Sequence, residues 1–276
     1  MQKIIVFGST GMLGNYVSRY LKSKDFNVVD INRRDLDASN LENIYVYLEN
    51  QMIIKQVKEG DVFINCIGVI KQRSNDKYKS LAVNSLFPYT LLDFAERRKT
   101  HYIHVTTDCA YNGIKGDYDE NDIVCPCDYY GITKSQGEPS QATVIRTSII
   151  GEELLNKKSL IEWVKSQKDQ EVKGYTNHIW NGITCLQFAK ICEEMINKNF
   201  FWKNIKHIHS PDKVNKFELV KLISDIYDLN LNIVPFETPE KCDRSLRSIR
   251  TDINFDIPSL KDQIIEQKIF GENIFC

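Results

Sequence analysis

The chain has 276 residues, with 36 Lys+Arg against 37 Asp+Glu and a formal net charge of −1. That balance excludes a strongly basic nucleic-acid binder, and 42% hydrophobic with 26% charged residues excludes a disordered tail protein. No apolar run reaches the roughly 20 residues of a membrane span. The first residues lack the apolar centre of a signal peptide, and the eight cysteines are scattered. Reduced thiols in a cytoplasmic protein with no membrane, nucleic-acid or metal partner are therefore expected.

Lys3–Phe7 is a nearly continuous apolar run, the pattern of a parallel strand buried on both faces. A glycine-rich turn and a helical pattern over Met12–Leu21 follow. Next come a strand at Asn27–Ile31, a helix from Leu41 to about Lys58 and a strand at Val62–Ile67. A long helix runs from about Tyr78 to Arg98, with Pro88 marking a start or a kink. Tyr102–Thr106 reads as a strand, Tyr129–Glu138 as a helix and Thr143–Arg146 as a strand. This alternation predicts an α/β fold, a Rossmann-type parallel sheet flanked by helices with right-handed crossovers. Beyond Gly151 the alternation loosens. Helices are expected at Ser159–Lys168, Leu186–Asn197 and Phe217–Tyr227, with short β pieces at Ile205–Ile208 and Leu231–Val234. The expected division is a nucleotide-binding domain over 1–150 and a smaller α/β substrate lobe over 151–276, with an approximate boundary and interleaving segments.

Gly8-Ser9-Thr10-Gly11-Met12-Leu13-Gly14 joins the first strand to the first helix. The first glycine permits the tight turn, the second lets backbone N–H groups approach a pyrophosphate, and the third allows close helix–sheet packing. At the second strand's tip, Asn32 is followed by Arg33 and Arg34, while the acid Asp30 lies inside the strand. Two arginines there suit a 2′-phosphate, which favours NADPH over NADH.

Tyr130 and Lys134 stand four apart on one helix face. A phenol titrates near 10, and a neighbouring ammonium favours its ionised form. The Thr107 hydroxyl, closing the preceding strand, is placed to bond a substrate carbonyl.

The glycine loop, Thr106-Thr107-Asp108 and Tyr130–Lys134 resemble the extended short-chain dehydrogenase/reductases. His104–Gly113, Gly116–Glu120 and Tyr129–Glu138 resemble, more narrowly, the dTDP-4-dehydrorhamnose reductase group. The resemblance covers about the first 150 residues; beyond them Arg244–Leu246 matches a late arginine motif. It implies NADPH-dependent reduction of the C4 ketone of a nucleotide-linked 4-keto-6-deoxyhexose, UDP- or dTDP-linked, including 2-acetamido sugars of the L-rhamnosamine type. It also implies a homodimer. Tyr130 would donate the proton, Lys134 would be its electrostatic partner, and Thr107 would orient the carbonyl. Cys66, Ile67, Gly68 and Thr106 would run along the cofactor. Lys71, Asn84, His178, Trp180 and Arg244 would face the substrate, with Gln72 and Arg73 beside Lys71.

Cys109 stands where such reductases usually carry tyrosine and where the similar GDP-fucose synthases carry a proton-transferring cysteine. C3 or C3/C5 epimerisation would need a second group, for which Lys173 and His178 are the candidates; a small buried thiol is the competing reading. A rival function is a catalytically silent, NADP-binding regulatory subunit. A 4,6-dehydratase is disfavoured because Asp108 is followed by Cys109 rather than by a second acid.

Overall fold

The computed structural model describes residues 1–70, 75–155 and 157–275. The first half alternates as expected: β1 (Lys3–Phe7), α1 (Met12–Ser23), β2 (Asn27–Ile31), α2 (Ile44–Ile54), β3 (Val62–Asn65), α3 (Lys77–Leu81), α4 (Phe87–Arg98), β4 (His101–Thr107), α5 (Tyr129–Gln136) and β5 (Thr143–Thr147). The second half adds β6 (Ile149–Ile150), α6 (Leu160–Ser166), β7 (Glu171–Tyr175), β8 (His178–Trp180), β9 (Ile183–Thr184), α7 (Cys185–Asn197) and β10 (Asn204–His207). It ends with β11 (Val214–Asn215), α8 (Lys216–Ile226), β12 (Asn232–Phe236), β13 (Cys242–Asp243) and α9 (Leu260–Phe275).

The main sheet is parallel throughout, in the order β10-β5-β4-β3-β1-β2. The chain leaves β1 for β2 on one side and returns to the other side for β3. The order thus reverses between β1 and β3, and a crevice opens beyond their carboxyl ends. Ile4–Phe7 and Val62–Ile64 are at most 1% exposed, so both faces of these strands are covered. Tyr16, Val17 and Leu21 of α1 pack with Phe188, Cys192 and Met195 of α7 on one face. Leu48 and Met52 of α2 pack with Phe87, Leu91 and Phe94 of α4 on the other. Burying each large side chain of this kind contributes about 1.5–3 kcal/mol.

Residues beyond 150 enter the main sheet, because β10 pairs with β5 at its edge and α7 covers α1. The rest of the second half surrounds a separate core that includes Ile161, Val172, Trp180, Leu219 and Ile223. The two-residue strands, β7 and α9 are not foreseen in the sequence. Helix α9 holds α7 in place: Gln263 Oε1 accepts from Thr184 N at 3.2 Å and Gln267 Oε1 from Leu186 N at 3.3 Å. Backbone N–H groups at a helix start have no partner within the helix, and here two glutamines supply one.

The long helix expected over Tyr78–Arg98 is broken by a π turn at Ala82–Leu86. Pro88 lies in the first turn of α4. Proline lacks the N–H for a bond four residues back and crowds that carbonyl, and the wider turn accommodates both defects. No described helix is long and apolar enough to cross a membrane.

Gln263→Ala removes the acceptor for a buried backbone N–H. It is expected to lower unfolding free energy by about 1–3 kcal/mol, read as a shifted urea midpoint at unchanged slope.

Candidate active site at the strand ends

The carboxyl ends of β1, β3, β4 and β5 open on a cleft of about 420 Å³. It adjoins a recess of about 230 Å³, the two sharing walls at Gly11 and Cys66–Gly68. The glycine loop separates strand from helix at minimal thickness. Gly8 has φ +81°, and a Cβ on Gly14 would stand 2.2 Å from the Gly8 carbonyl oxygen. Helix α1 begins with no side-chain cap and no acid in its first turn. Its leading N–H groups, with Met12 and Leu13 lining the cleft, form a cradle that fits a pyrophosphate.

Thr10 and Arg33 line the recess, and Arg33 Nη2 lies 3.3 Å from Asp37 Oδ2. Arg34, expected beside it, is exposed and outside the recess wall; its backbone N–H donates to Asn32 Oδ1 at 2.8 Å. Asp30 is taken up by Ser18 Oγ at 2.6 Å and by Lys22, which leaves Asn32 at the strand tip.

Helix α5 starts on Asp128, whose Oδ1 accepts from Gly131 N at 2.9 Å. A Cβ on Gly131 would stand 2.2 Å from the Cys109 carbonyl oxygen, so only glycine lets the helix lie against the end of β4. Tyr130 is thereby hydrogen-bonded with Thr107. The Thr107 hydroxyl also donates to Asp108 Oδ1 at 3.1 Å and accepts from Cys109 N at 3.2 Å. Lys134 Nζ donates to the Val105 carbonyl at 2.8 Å, and burial lowers its pKa to about 8. The expected depression of the Tyr130 pKa is not met. Burial, with Cys109 adding, raises it above the ordinary phenol value, while Thr107 opposes the rise. Tyr130 is therefore a protonated phenol at neutral pH.

Asn84, on the π turn, clamps the loop after β3. Its Oδ1 accepts from Val69 N at 2.8 Å, and its Nδ2 donates to Val69 O at 2.9 Å and to Thr133 Oγ1 at 3.1 Å. It ties that loop to α5 and does not line the cleft. Thr106 is buried in the cleft wall, and its Oγ1 has no hydrogen-bond partner among the described residues. Lys71, Gln72 and Arg73 lie outside the described residues.

Cys109 faces the cleft with Arg244 Nη1 at 3.7 Å, and Arg244 Nε donates to the Tyr111 carbonyl at 2.9 Å. The guanidinium favours the thiolate, yet burial and then Asp108 push the thiol up to about 12. Neither candidate for a second group, Lys173 or His178, lines the cleft. Lys173 lies on the exposed face of β7, its ammonium 4.3 Å over the Phe236 ring, because strand alternation gives the inner face to Val172. His178 Nε2 pairs with Thr238 Oγ1 at 2.8 Å, and His178 does not line the cleft. Lys216, the first residue of α8, interacts electrostatically with Asp108 and Cys109 without lining the cleft, its ammonium 5.1 Å over the Trp180 ring. Trp180 is buried and reaches the cleft through Ser148, whose Oγ accepts from its Nε1 at 2.8 Å. Sequence reasoning misses Lys216 and Ser148, since only tertiary packing brings them to the end of β4.

A family model described as RmlD substrate binding domain matches residues 1–253. A dTDP-4-dehydrorhamnose reductase of Aggregatibacter actinomycetemcomitans is 28% identical over 154 residues, 54% of this chain and 50% of that one. The chain thus spans about half the length of the first curated relatives it matches. A methionine adenosyltransferase 2 subunit beta of Danio rerio is 20% identical over 250 residues, 83% of this chain and 75% of that one. A solved dTDP-4-dehydrorhamnose reductase from Bacillus anthracis, in complex with NADP, superposes with TM-score 0.80 over 98% of this chain and 100% of that one, at 16% identity. The fold is therefore that of these reductases.

Lys134 is an ammonium below about pH 8 and an amine above it. Dinucleotide affinity, measured by fluorescence titration, is expected to fall as pH rises through 8, by up to about tenfold per unit. Lys134→Gln should bind more weakly at pH 7 with a flat profile across this range.

Proposed function

The chain belongs to the RmlD substrate binding domain family, and on that premise we propose that it uses NADPH to reduce the C4 ketone of a nucleotide-linked 4-keto-6-deoxyhexose. The nucleotide is UDP or dTDP, 2-acetamido sugars are included, and the assembly is a homodimer. The observation that carries this reading is the Tyr130–Thr107 pair, which opens on the same cleft as the uncapped start of α1. The activity and bound NADP named for the relatives support it.

NADPH, when bound, would supply the hydride. With its hydroxyl turned from Asp108 to the ketone oxygen, Thr107 joins Tyr130 in holding that oxygen between two donors, which polarises the carbonyl. As the C4–H bond forms, the Tyr130 O–H bond breaks and its proton goes to the sugar oxygen. The raised pKa keeps that proton in place until the developing alkoxide draws it off. Lys134, fixed on the Val105 carbonyl, presents its remaining hydrogens to the cofactor's ribose.

Tyr130→Phe should lower kcat by about 10²- to 10⁴-fold with dinucleotide affinity unchanged, assayed as loss of NADPH absorbance with dTDP- and UDP-4-keto sugars. Wild-type protein that binds NADPH but consumes it with none of these sugars would overturn the reading. That result would favour the catalytically silent, NADP-binding regulatory subunit.

A second reading, epimerisation before reduction, is favoured by Cys109 in the cleft wall beside Arg244, with Lys216 interacting electrostatically with it from behind that wall. The ketone acidifies the neighbouring C–H bonds. A base on one face takes the proton as the C–H bond breaks, a role for which Lys216, whose charging burial opposes, is the lysine in electrostatic contact with Cys109. The Cys109 S–H then delivers its own proton to the opposite face, and the ammonium–thiolate pair resets through solvent. In D₂O, wild-type protein should place deuterium at C3 or C5 with inversion, and Cys109→Ser should give no inverted product. Product from wild-type protein without carbon-bound deuterium at either position rules this step out.

A further inference from the structure

We infer that Lys79 is a ligand of the cofactor's 2′-phosphate, supplying the uncompensated positive charge that selects NADPH over NADH. This rests on the proposal that the recess holds the adenosine half of NADPH. The wall of the recess carries one glycine loop, one arginine and one lysine. Gly8, Thr10 and Gly11 form one side, Arg33 stands at the end of β2, and Lys79 reaches in from α3.

Charge decides between the two cations. Arg33 is already shared with Asp37, 3.3 Å away and itself part of the recess wall. Asp37 is fixed by Ser39, whose N and Oγ donate to its Oδ1 at 3.0 and 2.6 Å. These bonds, with Arg33, keep its carboxyl below the ordinary range, so it stays ionised at neutral pH. Arg33 and Asp37 together thus add no net charge. A phosphate monoester brings about −1.5 to −2, and entering beside Asp37 alone would be repelled. Lys79 makes no side-chain hydrogen bond or ion pair among the described residues. It is half-buried, which spares its ammonium full solvent screening. Arg34, the cation that the sequence pairs with Arg33, stays outside. The selecting pair is therefore discontinuous in the chain, one cation at a strand tip and the other 46 positions later on a helix (79 − 33).

The test is calorimetric binding of adenosine 2′,5′-bisphosphate against adenosine 5′-monophosphate, two probes that differ only in the 2′-phosphate. Wild-type protein should prefer the bisphosphate. Lys79→Met should lose about tenfold or more of that preference, Lys79→Arg should keep most of it, and Arg34→Ala should leave it unchanged. Thermal unfolding of each variant separates misfolding from lost contacts. If Lys79→Met weakens both probes equally, or neither, Lys79 is not the selecting ligand. If wild-type protein binds neither probe, the NADPH reading itself fails.

Discussion

Arg146, on β5 and 1% exposed, is the point to which the site is anchored. Its guanidinium pairs with Glu138, just past α5, and donates from Nη1 to the Tyr111 hydroxyl at 2.6 Å. His207 of β10 contacts the same Nη1 at 3.2 Å, and its Nδ1 faces the Arg247 carbonyl at 2.9 Å. One buried cation thus joins the Tyr130 helix, the Cys109 segment, the edge strand and the arginine-bearing segment of the second half. Removing one partner of such a pair costs about 3–5 kcal/mol, because the other charge is left buried. Here the same loss would release three walls of the cleft at once.

Burial sets the chemistry of that cleft more than charge pairing does. Tyr130 and Cys109 both keep their protons despite the hydroxyl and the guanidinium beside them. Lys134 gives up part of its basicity for the same reason. Desolvation penalises the charged form of each group, whatever its sign. The site is consequently stocked with proton donors, which suits a reaction that adds hydride to a carbonyl.

What the sequence makes legible is what repeats locally. The apolar runs of β1 and β3 can be read because both faces of a parallel strand are buried. The glycine loop and the Tyr130–Lys134 spacing can be read because one short segment carries the whole constraint. Lys173 misleads because a strand of five residues does not say which of its two faces meets the cleft. Lys216 and Lys79 cannot be read, since each meets its neighbours only through packing between distant segments. Helix α9 escapes notice because the residues that anchor it, Gln263 and Gln267, are polar and break the apolar stripe. Which segments interleave is equally invisible, because β10 is as short and ordinary in pattern as the strands that stay outside the main sheet.

That interleaving constrains how such a protein can be re-engineered. With β10 removed, β5 would become the sheet's edge and offer a row of unpaired N–H and C=O groups to other chains. With α7 removed, the apolar face of α1 would lie open to water. An exchange of second-half segments between homologues therefore cannot be a single cut near residue 150. The graft must be discontinuous, leaving α7 and β10 with their host and exchanging only the segments around the third core.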